Sequence, residues 1–465
     1  MAARDTRHGL PVSQMGDAPQ TPESTMKSPS PNQNELNLRL HAYSERFHAK
    51  GPWISMPPQP HLAGVIVIPC YDEPHWNQTL DSLFGAAPLK DKAIEILLVV
   101  NAGIDTASRI LNHQRMTSFQ ANSYAQNHNR VDLSLHVMTC LDLSARHAGV
   151  GWARKIGLDE GLHRLAQARS LDSGYLVCLD ADCTCEPDYL HALDNYFAIH
   201  PSSPGCSIQF SHPLEAAENE DHTMAVAAYE CHLRYYVEAL RWAGFPYAYH
   251  TIGSAMAVRP EAYMKQGGMN RRKAGEDFYF LNKIMSLGGF GECAETTIYP
   301  SPRTSKRVPF GTGQAVLRNV ETKTYATYDW RAFAELSLFF EQVRKHLPFL
   351  KGQTNLPIKT ELPRSINQYL DSQDAWHTWR KIASQVSNER NYIKRFFEWF
   401  DGFQCMKFLH FMRNEGFADV CLHQALVQLW HHVGTQRPLQ SASLLTHLEL
   451  LRERQSQPWF PAHNA

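Results

Sequence analysis

The sequence predicts an α/β fold: a mostly parallel central sheet with helices on both faces, continued by a mostly α-helical C-terminal region. Three observations carry this. Short, mostly apolar segments alternate with helix candidates between residues 63 and 183, the pattern of strands covered by crossover helices. The last of these segments runs into an acidic turn, LDADC. Beyond residue 330, aromatic-rich stretches of helical spacing replace the alternation.

The elements follow in order. Residues 1–60 read as a flexible tail and a short helix: 1–35 are rich in Pro, Ser, Gln and Asn, 36–50 place Leu36, Leu38, Leu40, Tyr43 and Phe47 on an irregular apolar face, and PWISMPPQP breaks the chain. The first strand is AGVIVIP at 63–69, ended by Pro69, and a helix follows at 75–84. IEILLVV at 94–100 is the second strand, and a weaker helix spans 105–125. LSLHVMTC at 133–140 is the third strand, before a helix at 148–168 with Val150, Ala153, Ile156, Leu158, Leu162 and Leu165 on its apolar face. YLVCLDADC at 175–183 is a strand entering the acidic turn.

After residue 200 the pattern reads as a strand at 206–213, a long helix within 215–242, an extended segment with a glycine turn at 248–260, a helix at 276–287, and strand and loop at 289–303. Residues 304–325 read as a basic loop rather than a regular element, and 330–465 as helices. The expected units are 1–60, 61–313 for the α/β domain and 314–465 for the helical region, in keeping with cores that stop growing near ~250–300 residues. Trp376, Trp379, Trp399 and Trp430 are expected to fill the core of the helical region rather than to stack on a ligand. The chain has no internal repeat.

Composition narrows the partners. With 43% apolar and 20% charged residues the chain is neither disordered, collagenous nor a long coiled coil. Forty-five basic against 46 acidic residues argue against a nucleic-acid or anionic-membrane binder. Ten cysteines in 465 residues are too dilute for a disulfide scaffold and read as buried small hydrophobes in a reducing compartment. No window reaches the ~18–20 apolar residues of a membrane helix, and the first 30 residues hold no apolar signal region. A cytoplasmic protein is expected, with peripheral membrane contact and a homo-oligomer left open.

Four segments carry candidate chemistry. Asp180 and Asp182 stand two apart at a strand end, where both carboxylates can approach one divalent cation at the edge of an α/β sheet that usually binds ligands; a surface loop is the alternative. Glu276 and Asp277 open a helix, where a carboxylate serves either as a general base or as an electrostatic cap. AGVGWARKIGLDEG supplies Gly149, Gly151 and Gly157 for close approach, with Arg154 and Lys155 either as phosphate contacts or as parts of a helix packed on the sheet; it is neither a P-loop nor a dinucleotide fingerprint. SPRTSKRVPFGTG carries Arg303, Lys306 and Arg307, a lid over a charged ligand or an exposed basic loop.

Together these segments, over residues 61–313, resemble the family 2 glycosyltransferases of GT-A fold. VIVIPCYDEP at 65–74 resembles the family's first strand and loop, which implies that Pro69, Tyr71 and Glu73 line a nucleobase and ribose pocket. GVGWARKIGLDEG resembles the segment beside the donor diphosphate. LDADC matches the aspartate–x–aspartate motif, with Asp182 implied as the metal ligand for Mg²⁺ or Mn²⁺ and Asp180 as a contact to ribose or metal-bound water. GEDFYF matches the glutamate–aspartate motif, with Asp277 implied as the base. TIGSAMAVRP, with Gly253 and Ser254, resembles the acceptor-side segment. His250 and His212 are candidate third metal ligands. The acidic pair often found after the second strand is replaced here by Val100 to Gly103, so base recognition falls to Asn101 or backbone groups. The Q-x-x-R-W motif of processive membrane synthases is absent.

The resemblance implies a soluble, non-processive enzyme moving a sugar from a nucleoside-diphosphate donor to an acceptor hydroxyl, with inversion. A retaining transferase or sugar nucleotidyltransferase, and a non-catalytic nucleotide-sugar-binding scaffold, are the alternatives.

Overall fold

A computed structural model describes residues 33–47, 51–273, 275–305, 311–345, 361–434 and 440–459. Of the tail expected at 1–35, residues 1–32 lie outside the described residues, as do Lys306 and Arg307, and residues 33–35 open the first helix instead. The chain runs α1 (Gln33–Phe47), β1 (Leu62–Cys70), α2 (Trp76–Gly85), β2 (Ala93–Gly103), α3 (Ser108–His128), β3 (Leu133–Leu143), α4 (Val150–Gln167), β4 (Tyr175–Cys178) and β5 (Cys183–Cys185). It continues through α5 (Tyr189–Ile199), β6 (Gly205–Phe210), α6 (Glu220–Trp242), β7 (Met256–Val258), α7 (Pro260–Lys265), α8 (Glu276–Met285) and β8 (Gly291–Pro300).

Eight strands form one sheet in the order β3-β2-β1-β4-β7-β6-β8-β5. β1 pairs in parallel with β2 and β4, β2 with β3, and β6 with β8; β7 is antiparallel to β4 and β6, and β5 to β8. The expected fold class is therefore the observed one. The period-2 alternation of the strands divides them between two cores. Ile66, Ile68, Ile94, Ile96 and Leu98 pack with Leu80 and Leu83 of α2 and Ala121 and Ala125 of α3. Val65, Val67, Leu97 and Val99 pack with Ala153, Ile156, Leu162 and Leu165 of α4. A Cβ on Gly157 would lie 2.3 Å from Val67, so that glycine lets α4 sit directly on the sheet.

As expected, a strand runs into the acidic turn: β4 stops at Cys178, and after the turn the short β5 pairs with β8 at the edge of the sheet. One expectation is corrected. The basic loop expected at 304–325 contains a helix, α9 (Thr312–Thr322). Val316, with Val320 one turn on, packs against Ala225 and Val226 of α6; this i, i+4 pair outweighs the glycines and basic residues that suggested a loop.

The C-terminal region is helical: β9 (Ala326–Thr327), α10 (Trp330–Lys345), α11 (Arg364–Ser372), α12 (Ala375–Ser384), α13 (Glu389–Trp399), α14 (Gly402–Asn414), β10 (Val420–Cys421), α15 (Leu422–Val433) and α16 (Leu444–Gln455). Trp376, Trp379 and Trp430 are buried in its core and Trp399 packs against it, as expected. That core also takes Ala227, Cys231, Tyr235 and Ala239 from α6. A further face of α6 is a buried ionic network: Glu230 accepts from Arg234 and from Arg452 of α16, and Arg454 reaches Glu238. No helix among the described residues is long and apolar enough to cross a membrane. Nine of the ten cysteines are buried, Cys421 is exposed, and all are free thiols.

Candidate active site

The sheet brings the C-terminal ends of β1, β2 and β4 side by side. A buried glutamine of α3 fixes this edge: Gln114 donates to the carbonyls of Cys70 and Asn101, both at 2.8 Å, and accepts from the Asp72 amide at 3.1 Å. The loops leaving these strands wall a cavity of about 940 Å³, near the upper end of the range for ligand sites.

The predicted residues that line this one cavity are Pro69 on β1, Tyr71 and Glu73 after it, Asn101 on β2, Gly149 and Arg154 at α4, Asp180 and Asp182 after β4, His212, His250, Gly253, Ser254, Glu276, Asp277 and Arg303. Lys155 does not join them. It is buried on the other side of α4, with its Nζ 2.8 Å from the Tyr43 hydroxyl and 3.0 Å from Asp159. Arg307 lies outside the described residues.

Two arginines neutralise the carboxylates. Arg154, almost fully buried, bridges Asp180 and Glu276. Burial works against its charge, but Asp180 and Glu276 outweigh burial and hold it protonated. Arg303 grips Glu73 with both Nη atoms, and its Nη2 also donates to Asp182 at 2.8 Å. Glu73 is buried and is further held by the His75 amide at 3.1 Å.

Backbone geometry makes room for this set. A Cβ on Gly253 would lie 2.5 Å from both terminal nitrogens of Arg154. Gly275 adopts φ +69°, a left-handed turn that L side chains rarely adopt, and aims the first turn of α8 at the cavity. Asp277 thereby sits in the cavity wall, half-buried, and accepts from the Phe278 amide at 2.7 Å. Burial and the Glu276 carboxylate push its pKa up to about 6, against the pull of Arg154. The N-terminal end of α4, at Gly149 and Val150, abuts the same cavity and turns the positive end of its dipole toward any anion there.

Asp180 and Asp182 offer the oxygen donors that Mg²⁺ or Mn²⁺ prefers. Among the described residues no group of three or more His, Cys, Asp or Glu side chains is arranged to hold a metal ion. Asp180 and Asp182 supply two carboxylates, each paired with an arginine. His250 is buried, and burial lowers its pKa to about 3; its Nε2 is engaged by Gln455 at 2.9 Å. His212 binds Glu230 through Nδ1 at 3.0 Å, and its Nε2 is buried without a partner.

The sequence reading missed two features of the site. Gln114 lies within a weakly patterned helix and carries no motif. The second is a limb of the cavity walled by α6, through Tyr229, Leu233, Tyr236, Val237 and Leu240. Their spacing of 4, 3, 1 and 3 was legible as one helical stripe, but such a stripe ordinarily marks core.

No family model matches the chain, and no curated protein matches it. Solved structures similar to it include Staphylococcus aureus TarS 1–349 in complex with UDP-GlcNAc, at 12% identity over 76% of this chain and 91% of that one, TM-score 0.38. The same protein with UDP gives 14% over 81% and 93%, TM-score 0.35. Mannosyltransferase PcManGT from Pyrobaculum calidifontis, in complex with GDP-Man and Mn²⁺, gives 14% over 91% and 94%, TM-score 0.33. No function passes to this chain from likenesses at this level.

Proposed function

We propose that this chain is a glycosyltransferase of GT-A type that moves a sugar from a nucleoside diphosphate to an acceptor hydroxyl, with inversion. The observation that carries the reading is the meeting, in one cavity, of the Asp180–Asp182 pair, two arginines and the half-buried Asp277.

In this reading Tyr71, about a third exposed at the rim, offers its ring to the nucleobase, with Asn101 beneath. Asp182 and Asp180 would hold Mg²⁺ or Mn²⁺, which when bound neutralises charge on the departing diphosphate. Arg303 exchanges its carboxylate partners for phosphate oxygens, where charge grows in the transition state. Arg154 stays in place as the counter-charge of Asp180 and Glu276. Asp277 accepts the acceptor proton while the hydroxyl attacks the anomeric carbon opposite the leaving diphosphate. His250 is a wall residue, and Lys155 supports α4. The free thiols suit a reducing, cytoplasmic setting.

The test is a donor screen by melting temperature, with nucleoside diphosphates and nucleotide sugars, with and without Mn²⁺. A ligand at a hundredfold excess over its Kd adds about 2.7 kcal/mol to stability, a shift of several degrees. Stabilisation by one base, larger with Mn²⁺, is the expected result. The absence of any shift across all donors refutes the reading.

A further inference from the structure

The cavity has two limbs of different character. The limb toward β1, β2 and β4 is charged. The other follows α6, where the stripe from Tyr229 to Leu240 spans twelve residues, eleven steps of 1.5 Å or roughly 16 Å. Phe245, Tyr247, Tyr249 and Ile252 add apolar surface to the same lining, and Phe278 and Asn282 follow Asp277 along α8. Val237, Leu240, Phe245 and Tyr249 line the cavity while each is 5% exposed or less.

Its polar side chains are largely spent on the protein. Asn282 donates to the Phe278 carbonyl at 2.7 Å and accepts from the Gly402 amide at 3.2 Å. The Tyr249 hydroxyl donates to the Phe290 carbonyl at 2.8 Å, and His250 is held by Gln455. Among the described residues of this lining, the hydroxyls of Tyr236 and Tyr247 and the buried Nε2 of His212 have no hydrogen-bond partner, and the Tyr229 hydroxyl meets only that of Thr312 at 3.5 Å.

We infer that this limb receives the acceptor, and that the acceptor is a small alcohol or phenol whose hydroxyl is carried on a predominantly hydrocarbon body. This rests on the proposed function, since it makes Asp277, at the junction of the limbs, the base. A sugar acceptor brings several hydroxyls that lose water on entry and need new partners, and the limb offers few. A ring or alkyl chain gains by leaving water and meets aromatic faces on several sides.

The experiment uses the full chain saturated with the nucleoside diphosphate that stabilises it most, and measures equilibrium binding of 2-naphthol, 1-decanol and methyl glucoside by calorimetry. At least one of the first two is expected to bind tenfold or more tightly than methyl glucoside. Their ranking separates a planar from an extended body. Leu233→Trp, which fills the limb midway, is expected to weaken that binding at least tenfold while preserving the nucleotide-induced melting shift. If Leu233→Trp loses the shift, Leu233→Phe replaces it, with a severalfold loss expected. Methyl glucoside binding as tightly as both apolar alcohols, or undiminished naphthol or decanol binding in the filled variant, overturns the inference. A chain that binds the apolar alcohols but no nucleotide refutes the transferase reading and leaves the limb assignment standing.

Discussion

Replacing Gly253 by alanine tests how the cavity is built, because the substitution acts on a residue almost 100 positions away. Gly253 does not need a positive φ, so alanine brings no backbone strain of its own. Its methyl would sit 2.5 Å from both terminal nitrogens of Arg154, and the guanidinium must leave. Breaking a buried ion pair by removing one partner costs about 3–5 kcal/mol. That range is discounted here because the Asp180 side chain is 36% exposed and recovers water, whereas Glu276 is 2% exposed and does not. A loss of about 2–3 kcal/mol in unfolding free energy is expected, read from urea denaturation. The decisive measurement is a double-mutant cycle with Arg154→Ala: in that background Gly253→Ala should cost under about 0.5 kcal/mol, since the clash has gone, and the coupling should account for most of the single-mutant loss. Additive costs would falsify the argument that this glycine exists to admit that arginine.

Other outcomes are expected from the same geometry. Asp277→Asn should keep the nucleotide-induced melting shift and lose transfer by about 10²–10⁴-fold, the usual worth of a general base. Wild-type transfer should rise tenfold per pH unit below about 6 and level off above it, because the base must be deprotonated and its pKa lies near 6; a profile flat from pH 4.5 to 7.5 contradicts this. Asp182→Ala should abolish most of the Mn²⁺-dependent part of the donor shift and spare the metal-independent part, and an unchanged metal response would remove Asp182 from the ligand set. Away from the site, Arg164 pairs with Glu95 inside the protein, so Arg164→Ala should cost about 3–5 kcal/mol of stability with nucleotide affinity unchanged. Burial opposes the Glu95 charge, yet Arg164 brings its pKa down to about 2 from 4.5. Its contribution is therefore present above about pH 4.5 and fades as the pH falls toward 2, visible as a falling urea midpoint that Arg164→Ala should flatten.

Legibility from sequence followed the physics of each signal. Strands buried on both faces announce themselves as strongly apolar runs, so β1 and β2 were located to within a few residues, and β3, at the edge of the sheet with Ser134, His136 and Thr139 in it, was found from a weaker signal. The acidic turn and the Glu276–Asp277 pair were legible because carboxylates at element ends are chemically conspicuous. Lys155 was misplaced because two adjacent cations on a helix, Arg154 and Lys155, point about 100° apart, and which of them faces the cavity depends on how α4 lies on the sheet. The arginine pairings of the carboxylates were invisible, since Arg154 with Glu276 and Arg303 with Glu73 join residues 122 and 230 positions apart. The apolar limb was hidden for a different reason: a wall and a core use the same side chains, and only tertiary packing says which side is empty.

α6 has duties on several sides at once. One flank anchors the aromatic core of the C-terminal helices, another holds the Arg452 and Arg454 network, and a third walls the inner limb beside Asp277. In the proposed function, donor handling falls by contrast to the ends of β1, β2 and β4. Whatever remodels the helical bundle therefore reshapes one pole of the reaction chamber and leaves the other untouched, so the choice of recipient can drift between descendants of this architecture while the machinery that spends the activated sugar stays fixed.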